Sequence, residues 1–333
     1  MRDAASAVVV AAVEGLSLTP EEARFFKDES PAGVTLFRRN IPQENYKDVG
    51  KLNQTLQGLR QVGEPPLMIA IDQEGGRVSR IAAPFPNLGP AMNIRETQTD
   101  PESLQVLRNY GRDVGRELRQ IGINVNFAPV LDVLSEPANL AIGDRCFGTE
   151  PDQVTVRAGA FLEGLQLEKV AGCLKHFPGQ GDARVDTHLG TAVIDVSLQT
   201  LLTRELVPFK ALVSQCPMVM ISHSIFPVLS EREASRSTTI IMDWLRGRLG
   251  FDGVVVSDDM NMGALPQEIQ EWKHALVEAV AAGCDVLLVC RHLDRCYAAL
   301  EALRLEARRS PAFSIRLDEA ASRVTALRKG LGN

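Results

Sequence analysis

The sequence is poor in aromatic residues, in histidine and in long apolar runs. Aromatic residues make up 5% of its 333 positions, and it has only five histidines. The apolar stretch that comes nearest to a targeting signal runs from Ala4 to Val13. It is too short to span a bilayer, it contains neither Leu nor Phe, and Asp3 interrupts the basic start of a signal peptide. We expect this stretch to be a helix or strand of the folded protein, and we expect no membrane partner.

Closely spaced cysteines and an excess of positive charge are also missing. No CxxC pair occurs, and no histidines stand at zinc-finger spacing, so reduced, buried thiols and a cytoplasmic location are expected. Lys and Arg total 36 against 42 Asp and Glu, and a net charge of -6 argues against nucleic acid as a partner. With 45% hydrophobic residues, the composition is that of a globular protein. The cysteines are Cys146, Cys173, Cys216, Cys284, Cys290 and Cys296.

Short β-branched runs alternate with segments of helical period along the whole chain. This alternation is typical of βα units and a parallel sheet. Because no GxGxxG follows an early strand, it favours a single (β/α)8 TIM-like barrel over a doubly wound sheet, and we predict one domain over residues 1–333. A ninth apolar run, Thr191 to Val196, is expected in a loop. The eight predicted strands are Val8–Val13, Gly33–Phe37, Leu67–Asp72, Asn124–Val133, Ala171–Phe177, Met218–Ile225, Gly253–Ser257 and Asp285–Cys290.

Polar side chains collect where these predicted strands end. In such barrels the loops after the strands converge on one mouth, which is where chemistry takes place. A single terminal Asp often only caps a helix, but five strand ends carry ionisable groups here. His223 either lines the pocket or packs in the core with a backbone hydrogen bond. The strand-end residues are Asp72, Asp132, Lys175, His176, His223, Asp258 and Asp259.

The adjacent residues Asp258 and Asp259 are expected to have different roles. Consecutive side chains of a strand point to opposite sides, so only one of the two is expected to face the mouth. Asp258 directly follows the apolar run and is the better candidate for a fixed carboxylate. Asp259 is expected to begin the next loop and to hold Asp258 or Arg145 by hydrogen bonds.

The segment from Lys175 to Gly190 combines glycines with titratable groups. Its glycines allow the backbone many conformations, so the segment is expected to close over a ligand and reopen. Asp186 and His188 stand two residues apart and can meet in a turn, where the carboxylate would fix the imidazole tautomer and raise its basicity. We interpret them as an acid/base pair.

Six motifs together resemble the β-N-acetylhexosaminidases of glycoside hydrolase family three, the NagZ type. In chain order they read IDQEGGRVSR, NFAPVLDV, GDRCFG, KHFPGQGD, VDTH and VVVSDDMNMGA, and they run from about Gly33 to Cys290. The resemblance implies a barrel enzyme that removes terminal non-reducing β-N-acetylglucosamine with retention of configuration. It implies a muropeptide or other small glycoside as substrate and needs no metal and no cofactor. We expect the enzyme to act as a monomer.

The resemblance also implies roles for particular residues. Asp258 matches the nucleophile, His188 the general acid/base and Asp186 its orienting partner. Two departures are visible, because the family pattern usually has His where this chain has Gln180 and Ser where it has Cys146. The first bears on loop closure. The residues implied to contact the sugar are Asp72, Arg80, Arg145, Lys175 and His176.

Other chemistries stay open at this point. A family-three β-glucosidase or a β-N-acetylglucosaminide phosphorylase would use the same groups, and the paired Asp258 and Asp259 could support a substrate-assisted reaction. Lys175 could form a Schiff base as in an aldolase. A divalent metal on Asp72, Glu74, Asp186 and His188, or a sugar-binding barrel without turnover, would need none of these mechanisms.

Overall fold

Eight parallel strands form the centre of the protein. The computed structural model describes residues 3–60, 62–184 and 190–332. We number the strands β1 to β8, and β5 consists of two segments separated by Cys173. They are β1 Val9–Ala12, β2 Gly33–Leu36, β3 Met68–Ile71, β4 Val125–Asn126, β5 Ala171–Gly172 and Leu174–Phe177, β6 Met218–Ile221, β7 Val254–Asp259 and β8 Val286–Leu288.

A helical segment follows each strand and covers the outside of the sheet. The helix after β1 begins as predicted, because Thr19 accepts from the Glu22 amide in a capping box with Pro20 at the first position. A π-helix, Thr239–Arg248, takes this place after β6. Besides the single α-helical turn Leu198–Thr200, the α-helices of the described residues are α1 Pro20–Asp28, α2 Val49–Gly58, α3 Pro101–Gln120, α4 Pro151–Leu167, α5 Leu206–Leu212, α6 Ile269–Ala282, α7 Leu293–Arg309 and α8 Pro311–Gly330.

The sheet closes on itself through β5. Its first segment pairs with β4, and its second segment pairs with β6 at the other end of the strand order. All the pairings between neighbouring strands of this sheet are parallel. The second segment also forms a bridge from Lys175 to Val130, just beyond β4, so β5 closes the barrel by lying between β4 and β6. The predicted (β/α)8 fold is confirmed.

Alternating side chains divide the core into two layers. In β1, Val10 and Ala12 belong to a cluster inside the barrel, together with Met68 and Ala70 of β3. Val9 and Ala11 of β1 belong to the larger cluster between the strands and the helices. Because both sets of alternating side chains are buried, each strand of such a barrel is a short, continuous β-branched run in the sequence.

Several predicted strands are longer than the observed ones. The fourth ends at Asn126, and beyond Pro129, which has no N–H to donate, only Val130 forms a bridge, to Lys175. The sixth ends at Ile221, because Ile225–Phe226 turns away to pair antiparallel with Ser230–Glu233. The run from Thr191 to Val196 contributes a single bridge, from Val193 to Ile225, and is otherwise loop, as expected.

The stretch that resembled a targeting signal is part of the fold. It contains the 3-10 turn Ser6–Val8 and strand β1, and both are buried. No helix in the described part of the chain is long and apolar enough to cross a membrane. All six cysteines are buried and free, as expected. The division of the chain into one domain over 1–333 stays a prediction.

Candidate active site

A cavity of about 320 Å³ opens at the carboxyl ends of the strands. This volume lies at the lower end of the range of small-molecule sites, which is roughly 300–1,000 Å³. The walls mix charged groups with a few apolar side chains, among them Phe37 and Met262. The predicted site residues that line it are Asp72, Arg80, Arg145, Lys175, His176 and Asp258, and Asp259 and Gln180 lie beside them.

Lys175 lies at the centre of the charged wall. Its Nζ is 2.8 Å from Asp72 Oδ1 and 2.6 Å from Glu74 Oε1, and its side chain is 3% exposed. Burial alone would lower the pKa of this lysine, but the two carboxylates outweigh burial and raise it. Lys175 is therefore held protonated.

Two arginines complete the ion-pair cluster, which we define as Asp72, Glu74, Arg80, Arg145 and Lys175. Arg145 binds Glu74 with two parallel hydrogen bonds of 2.8 Å, and Arg80 Nη2 lies 3.1 Å from Asp72 Oδ2. The forked guanidinium matches a carboxylate in this geometry, which fixes the orientation of both partners.

The carboxylates of the ion-pair cluster are held in the ionised form. Burial by itself would raise the pKa of Glu74, but Arg145 and Lys175 lower it to about 2. The pKa of Asp72 lies well below its usual range for the same reason, because Lys175 and Arg80 outweigh the effect of burial. Asp72, Glu74 and Lys175 therefore keep their charges at neutral pH.

The turn that carries Glu74 needs its glycines. Gln73–Gly75 pairs antiparallel with Val78–Ser79, and the chain reverses at Gly75 and Gly76, which have φ values of 106° and 55°. A Cβ on Gly75 would lie 2.8 Å from the carbonyl oxygen of Gly89. Gln73 secures the turn, because its Oε1 accepts from the Arg80 and Ile81 amides.

A second buried pair supports His176. Asp132 is fully buried, its Oδ2 lies 2.6 Å from His176 Nδ1, and its Oδ1 accepts from the Gln180 amide at 2.8 Å. The carboxylate fixes the orientation of the imidazole. Gln180, which departs from the family pattern, accepts through Oε1 from the hydroxyls of Ser222 at 3.3 Å and Ser224 at 3.1 Å. Its side chain is thus bound to the end of β6.

Asp258 and Asp259 both line the cavity, so the expectation that only one would face the mouth is wrong. The pairing of β7 with β8 shifts by one residue between Val256 and Asp259, which breaks the regular alternation of side chains. The backbone amide of Asp259 donates to Asp258 Oδ1 at 2.8 Å. Asp259 therefore holds Asp258 as predicted, although with its amide.

The carboxylate of Asp259 is occupied elsewhere. Its Oδ1 accepts from the side chain and the amide of Asn261 at 2.9 and 3.1 Å and from the Cys290 amide at 3.3 Å. Burial raises the pKa of this carboxyl in spite of these donors. The predicted contact of Asp259 with Arg145 is replaced by the bond between Arg145 and Glu74.

Asp186 and His188 lie outside the described residues, between Arg184 and Gly190. Among the residues that the structure does describe, no three His, Cys, Asp or Glu side chains come together as a metal-binding group. Two of the four ligands in the metal hypothesis, Asp72 and Glu74, instead bind the Lys175 ammonium.

Glu74 is the residue whose part in the site the sequence reasoning missed. It was considered only as a metal ligand, whereas it accepts three contacts from two cations. The charges of the predicted sugar contacts could have indicated that a second carboxylate is needed. Arg80, Arg145 and Lys175 stand there against the single carboxylate of Asp72, and buried charges require partners.

Known proteins are similar to this chain in sequence and in fold. The family model described as the glycosyl hydrolase family 3 N terminal domain matches residues 8–327. A β-hexosaminidase from Stenotrophomonas maltophilia is 36% identical over 287 residues, which cover 84% of this chain and 82% of the relative.

Two solved structures extend the comparison. A family 3 β-N-acetylglucosaminidase from Paenibacillus sp. superimposes over the whole chain with a TM-score of 0.91 and 32% identity, and this chain spans 63% of its length. NagZ from Neisseria gonorrhoeae, solved with N-trifluoroacetyl-D-glucosamine, gives a TM-score of 0.78 and 28% identity over 95% of this chain and 97% of NagZ.

The fold, the cavity and these matches define a barrel glycosidase, and the chain belongs to glycosyl hydrolase family 3. Within that family the predicted enzyme class, β-N-acetylhexosaminidase, is confirmed by the similarity to the curated β-hexosaminidases and the NagZ structure.

Proposed function

We propose that the enzyme removes terminal non-reducing β-N-acetylglucosamine from muropeptide fragments or related small glycosides, with retention of configuration. The proposal rests on one observation, which is that the predicted site residues come together in space. Asp72, Arg80, Arg145, Lys175 and His176, which lie on different segments of the sequence, line one cavity together with Asp258. A cavity of about 320 Å³ suits one sugar ring at the end of a chain better than the middle of a polymer.

In this proposal Asp258 is the nucleophile. Its carboxylate attacks the anomeric carbon while His188 donates a proton to the departing oxygen, and a covalent glycosyl-enzyme forms. His188 then takes a proton from water, the water oxygen attacks the anomeric carbon, and the bond to Asp258 breaks. Asp186 orients His188. The imidazole suits this task because its usual pKa of about 6.5 lies near working pH.

The ion-pair cluster would bind the sugar hydroxyls. Hydroxyls both donate and accept, and the mixed carboxylates, ammonium and guanidinium groups of the cluster offer both kinds of partner. Because these groups are already ion-paired, they are oriented before the substrate arrives, which lowers the cost of positioning it.

The geometry of Lys175 disfavours the aldolase alternative. A Schiff base requires a neutral amine as nucleophile. Two carboxylates within 2.8 Å raise the pKa of Lys175 and keep its amine protonated. No other group among the described cavity residues is a lysine.

Hydrolysis of an aryl β-N-acetylglucosaminide tests the proposed reaction. We expect release of the aryl group, with β-N-acetylglucosamine as the first product in an NMR time course, and a much lower rate with the matching β-glucoside. Equal rates on both would favour a β-glucosidase, acceleration by phosphate with a sugar phosphate as product would favour a phosphorylase, and no release over hours would leave a sugar-binding barrel.

Replacement of His188 by Ala tests the acid/base role. We expect kcat/KM to fall by roughly 100-fold or more with a poor leaving group, as for the loss of general acid catalysis, and far less with an activated aryl glycoside. His274→Ala is the matched control, because His274 is exposed and contacts Glu278 on α6. Equal losses with both substrates would show that His188 is not the acid.

The cellular setting is part of the proposal. Six free, buried cysteines favour a reducing compartment such as the cytoplasm. Muropeptide fragments as the substrate rest on the family resemblance, and the enzyme is proposed to act as a monomer. Size-exclusion chromatography with light scattering measures the mass in solution, and the mass of a dimer would contradict the proposal of a monomer.

A further inference from the structure

The end of β7, which carries Asp258, is held differently by its two neighbouring strands. Its ladder with β6 covers four pairs and ends at Ser257 with Ile221. On the other side, the pairing with β8 shifts between Val256 and Asp259. If the β6 ladder continued in the same register for two more residues, Asp259 would lie opposite His223, and it is the side chain of His223 that makes the contact there.

His223 binds the backbone of Asp259. Its Nε2 lies 3.2 Å from the carbonyl oxygen of Asp259, and its Nδ1 lies 2.7 Å from the hydroxyl of Ser235. A carbonyl oxygen can only accept, so the ring proton is on Nε2 and the Ser235 hydroxyl donates to Nδ1. Burial lowers the pKa of His223, although the nearby Asp258 opposes this effect, and the ring is neutral.

We propose that His223, oriented by Ser235, is a positioning residue that fixes the Asp258 carboxylate by holding the backbone of Asp259. The Asp259 amide donates to Asp258 Oδ1 at 2.8 Å, and the carbonyl of the same residue accepts from His223. The Asp259 carbonyl also accepts from the Met262 amide at 3.0 Å, so residue 259 is held at both of its backbone polar groups, and His223 is the side-chain donor to it. This inference rests on the proposed role of Asp258 as nucleophile.

His223 acts through the backbone and does not touch the substrate. It is 1% exposed and is not among the residues that line the cavity. The sequence left two possibilities for it, a pocket residue or a core histidine with a backbone hydrogen bond. The second is correct, and the backbone that it binds belongs to the catalytic strand.

Two substitutions at this position separate positioning from packing. In His223→Gln, the terminal amide nitrogen reaches the place of Nε2 and can still donate to the Asp259 carbonyl. In His223→Asn, the shorter side chain can still accept from Ser235 but cannot reach that carbonyl. Misplacement of a reacting group by about 1 Å can cost up to 100-fold in rate.

We expect His223→Asn to lower kcat on an aryl β-N-acetylglucosaminide by roughly 10- to 100-fold with KM changed less than about 3-fold. His223→Gln should restore kcat to within about 5-fold of the parent enzyme. If His223→Asn does not fold, Ser235→Ala replaces it, because it leaves the donor in place but frees the ring, and we expect a smaller fall in kcat. Equal kcat values in His223→Asn and the parent, or a fall in the Ala variant seen in KM alone, would overturn the proposal.

Parallel measurements on Asp258→Asn keep the two proposals apart. If Asp258→Asn is inactive while His223→Asn is fully active, Asp258 keeps its role and the positioning by His223 is wrong. If Asp258→Asn retains activity, the proposed nucleophile itself is wrong, whatever the His223 variants do.

Discussion

The two sides of the cavity solve the problem of buried charge differently. In the ion-pair cluster, each carboxylate has two cationic partners, and the pKa of Glu74 falls to about 2. At the end of β7, Asp259 is held by amides of Asn261 and Cys290, and burial raises its pKa. The two carboxylates of the ion-pair cluster therefore lie against cations, while the carboxylate of Asp259 lies against neutral donors.

We infer from this difference that one side binds and orients the substrate and the other side carries the reacting group. A carboxylate bound to a guanidinium or an ammonium has its lone pairs directed at those partners, which suits binding and orientation. A nucleophile requires a carboxylate that is held in place without being neutralised, and amide donors achieve this. We therefore expect substitutions in the ion-pair cluster to change KM and stability, and substitutions at the end of β7 to change kcat.

The largest effect is expected from Asp258→Asn. Loss of the nucleophile should lower kcat by about 1,000-fold or more with little change in KM, because removal of a nucleophile costs far more than removal of a binding contact. Steady-state kinetics with an aryl β-N-acetylglucosaminide measures both constants. Asp113→Asn is the matched control, since Asp113 is a half-exposed aspartate paired with Arg116 on α3. A fall in kcat of less than 10-fold would remove the distinction between the two sides.

The next effect is expected from Glu74→Gln. The change leaves Lys175 and Arg145 buried with one carboxylate fewer, and breaking such a pair costs about 3–5 kcal/mol of the free energy of unfolding. KM should rise because the cluster loses its geometry. Urea unfolding measures the stability. Glu163→Gln, which removes an exposed partner of Arg108, should cost less than about 1 kcal/mol. Equal costs for both variants would contradict the account.

A smaller, pH-dependent effect is expected at Glu205, a buried carboxyl bound by one cation. Burial raises its pKa to about 7, although Arg204 at 2.6 Å opposes burial. The folded state then binds more protons than the unfolded state between about pH 4.5 and pH 7, so this group lowers stability as pH rises through that window. Glu74 has the opposite sign, because its lowered pKa means that its stabilisation is lost as pH falls from about 4.5 towards about 2.

Glu205→Gln should remove the pH-dependent loss. The parent enzyme should lose roughly 2–3 kcal/mol more of its unfolding free energy between pH 5 and pH 8 than the Gln variant does. Urea titrations of both proteins at the two pH values measure this. The same loss in both proteins would show that the Glu205 carboxyl titrates normally in the folded state.

The barrel and the strand-end residues of the cavity were predictable from local patterns in the sequence, whereas Arg80 and Arg145 were implied only by the family resemblance. A short β-branched run such as Gly33–Phe37 indicates a strand, and a polar residue after a strand, such as Asp72, indicates the mouth of the barrel. The break of β5 at Cys173 depends on which strand pairs with each side, and this is settled only when the sheet closes. The register shift that brings Asp259 to the cavity is likewise a property of two paired strands.

Trapping of the glycosyl-enzyme is the most direct test of Asp258 as the nucleophile. A fluorinated N-acetylglucosaminyl substrate that forms the glycosyl-enzyme quickly and hydrolyses slowly should leave one covalent label per chain. We predict that mass spectrometry of the digested protein places the label on Asp258. A label on Asp259 or on a carboxylate of the ion-pair cluster, or turnover without any label, would contradict the account.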